Sequence, residues 1–252
     1  MKRARVQYND ERLDVIVRSD CGLETDDGRV LREEQITWLP PIHGTIICLG
    51  LNYADHIKEL KLKTPSEPLM FIKSPSSVNA HKKVCCRPDD VDYMHYENEL
   101  VVVIGKTAHK VKRDEAMAHV RGYTICNEIA IRDYLENYYR PNLRVKSRDS
   151  LTPLGPYVID REEVGDPSAL AIRTYVNDEL RQDGSTRDMI FDVPYLIEYI
   201  SHFMTLQPND MISTGTPYGV SDVVPGDAVI CEIEKVGRLE NTIVSEAEYY
   251  GS

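Results

Sequence analysis

The pattern of apolar and polar positions changes character once, near residue 42. Before that point come short alternating pieces, Arg5-Val6-Gln7-Tyr8 and Leu13-Asp14-Val15-Ile16-Val17, then a polar turn at Asp26-Asp27-Gly28 and a stop at Pro40-Pro41. A period of two suits strands with one buried face. Residues 1–42 are therefore expected to form a small β-rich appendage. Residues 43–252 read differently: apolar runs such as Thr45–Leu49, Leu100–Ile104, Tyr157–Ile159 and Ala228–Cys231 are separated by Pro, Gly, Asn and Asp. Short runs bounded by turn formers are the signature of buried strands. Helical spacing is rarer and predicts helices over Asp114 to Val120, Ile131 to about Tyr139, and Pro194 to Met204. In the last, proline falls in the first turn, where its missing N–H leaves no bond unmade. Val176-Asn177-Asp178-Glu179 and Val224-Pro225-Gly226-Asp227 lie between strand-like runs and predict hairpins. The expected class is mixed α/β and β-rich, with helices at the edges rather than in βαβ alternation.

Composition narrows the function. The chain has 252 residues, enough for one sizeable catalytic domain with the small appendage. No apolar run approaches the roughly 20 residues of a membrane-spanning helix, and the start M-K-R-A-R-V-Q-Y-N-D lacks the apolar stretch of a secretory signal. The expectation is a soluble, cytoplasmic protein without a membrane partner. Its six cysteines have neither zinc spacing nor a disulfide framework, and read as reduced, mostly buried small hydrophobes. A net charge of −11 opposes nucleic acid as a partner. A small anionic substrate would then need a local cationic cluster or a metal to hold it.

Several residues can carry chemistry. In Met94-His95-Tyr96-Glu97-Asn98-Glu99, a strand would project Glu97 and Glu99 from one face, where they repel unless a cation sits between them. Hard divalent metals prefer such oxygen ligands, although an E-x-E pair also decorates solvated strand faces. Glu128 ends the apolar run Tyr123–Cys126 with Asn127, and can point into a cleft or open a helix facing water. His56 and Glu59 are three apart and would share a helix face, as a general acid/base pair or as a plain surface contact. Cationic candidates are Lys73, Arg132, Lys146 and Arg148, and the loop Ser213-Thr214-Gly215-Thr216-Pro217 can present N–H and hydroxyl donors to a carboxylate.

In chain order, G-L-N-Y-A-D-H-I-K-E, P-L-M-F-I-K, Y-E-N-E-L-V-V-V-I-G, G-Y-T-I-C-N-E, V-K-S-R-D, T-P-L-G-P and T-G-T-P resemble the fumarylacetoacetate hydrolase family, from about Thr45 to Ile243. Residues 131–149 look like the carboxy-terminal half of the bifunctional isomerase/decarboxylases of 4-hydroxyphenylacetate (homoprotocatechuate) degradation. The resemblance implies a β-roll catalytic domain and places Glu97, Glu99 and Glu128 at the metal-binding positions. Glu128 departs from the family's usual Asp. The resemblance also implies His56, Glu59 and Lys146 as catalytic residues and Thr216 as one that holds a substrate carboxylate; Lys73, Arg132 and Arg148 are expected to bind substrate as local cations. The implied cofactor is a divalent metal, Mg²⁺ first and Mn²⁺ or Ca²⁺ as alternatives.

The implied reaction is decarboxylation of 5-oxopent-3-ene-1,2,5-tricarboxylate and isomerisation of 2-hydroxyhepta-2,4-diene-1,7-dioate. The alternatives are a hydrolase of an acylpyruvate or fumarylacetoacetate-type carbon–carbon bond, and a non-catalytic partner subunit. The implied assembly is a homodimer, or a complex with a homologous amino-terminal-half subunit.

Overall fold

In the computed structural model, which describes residues 1–135 and 143–251, the apolar run Leu100–Ile104 lies in the strand Asn98–Ile104, and every residue of that strand is buried. A strand dry on both faces must lie between two layers. Leu100, Val102 and Ile104 enter a core with Ile125, Ile212, Ile233 and Ile243, whereas Val101 and Val103 meet Ile46, Cys48, Cys126 and Met211 on the other side.

This strand is at the heart of a 12-stranded sheet. Val120–Asn127 flanks it antiparallel on one side, followed by Thr152–Asp160, and Met211–Ser213 flanks it on the other, followed by Ile46–Gly50 and Leu69–Ile72. The strands of residues 2–39 continue the same sheet, because Lys2–Tyr8 pairs with Thr152–Asp160 in the register Lys2 to Ile159. A second sheet of five strands, among them Ala171–Val176, Ala228–Ile233 and Gly237–Ser245, covers the first. The β-rich expectation therefore holds.

Local chemistry decided the smaller elements. Asn177 and Asp178 both adopt positive φ, 50° and 67°, and close the hairpin between Ala171–Val176 and Glu179–Ser185, as the right-handed strand twist requires. Val224–Asp227 is a tight turn, with Gly226 at φ 98°, but it leads into Ala228–Ile233 alone and is no hairpin. The helix Val193–Phe203 forms as expected, capped by Asp192, whose carboxylate accepts the Tyr195 N–H at 2.9 Å.

The helix expected from Asp114 shrinks to a 3-10 turn, Ala116–His119, because Val120 already joins the sheet. Ile131 likewise starts no helix: Ala130–Ile131 pairs with Met94–His95, and a 3-10 turn follows over Arg132–Tyr134. Residues 136–139 of that expected helix lie outside the described residues. Five of the six cysteines are buried and all are free. Among the described residues no helix is long and apolar enough to cross a membrane.

A buried histidine ties the amino-terminal strands to the second sheet. His81 packs edge-on against Trp38, and its Nδ1 accepts the Glu240 N–H at 3.1 Å. An accepting nitrogen must be unprotonated. Burial lowers the His81 pKa to about 4, against the opposing pull of Glu240. A base with a depressed folded pKa binds fewer protons than its unfolded form between the two values, so stability is present above the unfolded value and lost on acidification. We expect denaturant unfolding to show about 3 kcal/mol of lost stability between pH 6.5 and pH 4 that disappears in His81→Gln. An identical pH slope in the variant would refute this role.

Candidate metal centre and active site

Glu97 lies just ahead of the strand Asn98–Ile104, and Glu99 is its second residue; Glu128 directly follows the neighbouring strand Val120–Asn127. Two hydrogen bonds fix this junction, one between backbones and one to a side chain. The Glu128 N–H donates to the Glu97 carbonyl at 2.8 Å, and the Glu97 N–H donates to Asn127 Oδ1 at 3.1 Å. As a result, one oxygen from each of Glu97, Glu99 and Glu128 lies within 4.8 Å of the others, and all three residues are buried.

Three dry carboxylates demand positive charge. Lys73 Nζ, itself enclosed, donates to Glu128 Oε1 at 2.5 Å; Lys146 Nζ donates to both Glu97 oxygens at 3.0 Å and to Glu128 Oε2 at 2.5 Å. Burial works against the Lys146 ammonium, but Glu128 and Glu97 outweigh it and hold its pKa above the ordinary value. Burial likewise raises Glu97, yet Lys146 and His56 bring it net below the usual carboxylate range.

Glu128 and Glu99 go the other way. Burial lifts the Glu128 carboxyl above its ordinary range even against Lys146 and Lys73, and at Glu99 burial, reinforced by Glu128 and Glu97, drives the pKa well up. Glu99 Oε2 accepts Ser213 Oγ at 2.6 Å and the Gly215 N–H at 3.0 Å, while Oε1 is buried without a partner among the described residues. Two lysines against three carboxylates and one orphaned oxygen fit a further cation. The donor set is all oxygen, which suits Mg²⁺, Mn²⁺ or Ca²⁺ rather than a thiolate-seeking metal.

Around this centre the proposed acid/base pair is assembled. His56 and Glu59 share one face of the helix Ala54–Glu59, and His56 Nδ1 lies 2.7 Å from Glu59 Oε2. That contact fixes which ring nitrogen stays free. The helix is pinned to the loop beyond Thr216 through Asp55, which accepts the Tyr218 N–H at 3.0 Å. Thr216 Oγ1 accepts from the buried Gln182 at 3.0 Å, and Gln182 in turn accepts from Thr174.

The remaining cations part company. Arg132 is half-buried and makes no side-chain hydrogen bond or ion pair among the described residues, yet it lies near enough to Glu97 and His95 to bias both. Arg148 turns instead to Asp90, at 2.9 and 3.2 Å. Sequence reasoning passed over His95, Asn127, Asn52 and Gln182. His95 is buried, with Nδ1 3.6 Å from Glu97 and Nε2 without a partner among the described residues, and burial keeps its imidazole neutral. Asn52 staples the Thr214 carbonyl at 2.8 Å and both backbone groups of Phe191. Asn52, His95 and Asn127 sit inside the motif blocks and were legible by position. Gln182 lies in an ordinary polar strand and carried no signal.

The fumarylacetoacetate (FAA) hydrolase C-terminal family matches residues 45–244, which span this whole site. The chain belongs to the fumarylacetoacetate hydrolase family. Among the family's curated members, a 4-hydroxyphenylacetate degradation bifunctional isomerase/decarboxylase from Salmonella dublin is 62% identical over 215 residues, 85% of this chain and 50% of that protein. The chain thus spans about half the length of this relative. A solved 5-carboxymethyl-2-hydroxymuconate delta-isomerase from Mycobacterium smegmatis is 32% identical, with a TM-score of 0.87 over 98% of this chain and 99% of its own. A maleylpyruvate hydrolase from Sphingobium sp. SYK-6, solved with manganese(II) and pyruvate, is 26% identical, with a TM-score of 0.83 over 97% and 99% of the two chains.

Glu99→Gln separates stability from metal affinity. The side-chain oxygen still accepts from Ser213 and Gly215, and the neutral amide replaces a carboxyl that burial already holds toward its neutral form when no metal is bound. We expect Tm without added metal to change by no more than a few degrees. Mn²⁺ affinity by calorimetry should fall at least about tenfold. A lower Tm with unchanged Mn²⁺ binding would contradict the assignment.

Proposed function

We propose that this chain carries a divalent-metal-dependent decarboxylase/isomerase activity on 5-oxopent-3-ene-1,2,5-tricarboxylate and 2-hydroxyhepta-2,4-diene-1,7-dioate. The observation that carries the reading is the meeting of three buried carboxylates and Lys146 at one point beside a formed His56–Glu59 pair. The 62% identity to an isomerase/decarboxylase supports the substrate class.

Glu97, Glu99 and Glu128 would hold the metal, Mg²⁺ first among the hard cations. When bound, it supplies Lewis-acid stabilisation of negative charge on a 2-oxo acid. Lys146 adds a fixed positive charge at the same place. Loss of CO₂ breaks one C–C bond and leaves its electron pair in a dienolate. Protonation on oxygen gives the 2-hydroxy-2,4-diene. Moving that proton from the oxygen to C5 gives the 2-oxo-3-ene dioate. His56, oriented by Glu59, is placed to carry the proton in both directions. Gln182 and Asn52 hold the Thr216 loop, whose hydroxyl and N–H groups suit the C1 carboxylate, and Arg132 suits the distal one.

A carbon–carbon hydrolase would use the same pair to activate water, and the maleylpyruvate hydrolase neighbour keeps that reading in play. Because the chain spans half of its longer relatives, we further propose that it works as a homodimer or beside a homologous half.

The test is CO₂ release and product identity from the tricarboxylate with Mg²⁺ or Mn²⁺, with and without chelator. We expect metal-dependent CO₂ release and a loss of about 100-fold or more in kcat for Lys146→Met and His56→Gln. Cleavage of an acylpyruvate with no CO₂ release would favour the hydrolase instead.

A further inference from the structure

An ion cluster on the outer wall of the site joins the two chain segments that carry Arg132 and Lys146. Its hub is Asp90, three residues beyond the strand Val84–Arg87. Arg148 grips Asp90 with two hydrogen bonds, 2.9 and 3.2 Å, and Arg144 approaches at 3.4 Å. Tyr134 donates its hydroxyl to Asp90 Oδ2 at 2.7 Å, and the Arg144 guanidinium stacks on the Tyr134 ring at 3.3 Å. Tyr134 lies in the 3-10 turn Arg132–Tyr134; Arg144 and Arg148 flank Lys146, the last residue of the helix Leu143–Lys146.

A second set of bonds fixes the turn to the same stretch of chain. Asp133 Oδ2 accepts the N–H groups of Asp92 and Tyr93 at 2.9 and 3.0 Å, and the Arg132 N–H donates to the Tyr93 carbonyl at 2.9 Å. The loop 90–93 therefore holds both segments and runs directly into His95 and Glu97. Within this wall Arg132 is the cation whose side chain has no hydrogen bond or ion pair among the described residues, and its backbone sits one residue beyond the Ala130–Ile131 strand that pairs with Met94–His95, near enough for its charge to act on Glu97.

We propose that Asp90 is a positioning residue: by latching Tyr134, Arg144 and Arg148 together, it aims Arg132 at the second carboxylate of a dicarboxylate substrate and so sets the preference for diacids. The proposal rests on the function read above. Single exposed ion pairs contribute little, but a bidentate, stacked network is the kind that does. Arg148 and Tyr134 also hold the Asp90 carboxyl well below the usual carboxylate range, so the latch stays charged across the neutral range. Lys146 keeps its own buried bonds to Glu97 and Glu128 when the latch is cut, so turnover of bound substrate should survive. The Arg132 side chain has no hydrogen bond or ion pair of its own among the described residues, so its direction depends on how firmly the whole turn is held, by the Asp90 latch at Tyr134 as well as by the Asp133 bonds.

The experiment compares wild type, Asp90→Asn, Arg148→Ala and the conservative Asp90→Glu in the full chain with Mg²⁺. A dienoic diacid and its monocarboxylate analogue, lacking the distal carboxylate, serve as substrates. For Asp90→Asn and Arg148→Ala we expect KM for the diacid to rise about fivefold, the loss of roughly 1 kcal/mol of binding, with kcat within about twofold. KM for the monocarboxylate should stay put, and Asp90→Glu should recover most of the diacid preference.

Trypsin cleavage after Arg144 and Arg148 gives a readout independent of the reaction, and it should be faster in Asp90→Asn. Unchanged cleavage, or equal KM changes for both substrates, would overturn the latch. Faster cleavage in a protein whose wild type turns over neither substrate would keep the latch as a structural element. It would overturn the functional reading and, with it, the diacid role.

Discussion

Everything in this protein depends on keeping three carboxylates together in a dry place. At about 4 Å, two like charges in a protein interior repel by roughly 4 kcal/mol even at an effective dielectric constant near 20. Glu97, Glu99 and Glu128 can share one point only because the fold forces them there and supplies counter-charge. The force comes from the buried strand Asn98–Ile104 and its ladder with Val120–Asn127, whose ends deliver all three side chains. The counter-charge comes from Lys73 beneath and Lys146 beside them. Removing apolar burial from that strand would release the carboxylates to water and abolish the reason for a cation to bind.

The surrounding structure divides the labour. Ser213 and Gly215 orient Glu99, Asn52 and Gln182 hold the loop that follows, and Glu59 orients His56. None of these supporting groups needs to touch the reacting atoms; each removes a freedom that would otherwise blur a distance of a few ångströms. Glu128 illustrates the tolerance of such a site. Its side chain is one methylene longer than Asp, and its two oxygens are taken up separately by Lys73 and Lys146. The extra reach is thus fixed at both ends.

The parts of this picture governed by local chemistry were legible in the sequence. The alternation around Glu97 and Glu99, the His56–Glu59 spacing, the Asn177-Asp178 turn and the Pro194 helix start each follow from short-range rules. Contacts made over long sequence distances were not. Ile131 has helical spacing, yet it forms a separate two-stranded ladder because Met94–His95 lies beside it. The pairing of Arg148 with Asp90, 58 residues away, was equally invisible, and it moved Arg148 from a substrate-binding expectation to an outer-wall contact. Gln182 shows the same limit, since only the folded sheet brings it to Thr216.

The proposed function requires a divalent metal among Glu97, Glu99 and Glu128 with a 2-oxo acid against it. Anomalous diffraction at the manganese edge, from crystals of the chain grown with Mn²⁺ and oxalate, shows whether both bind there. We expect an anomalous peak bounded by oxygens of all three carboxylates, with oxalate against it and Lys146 still alongside. A manganese peak elsewhere, with Lys73 and Lys146 left as the only cations on the triad, would contradict it.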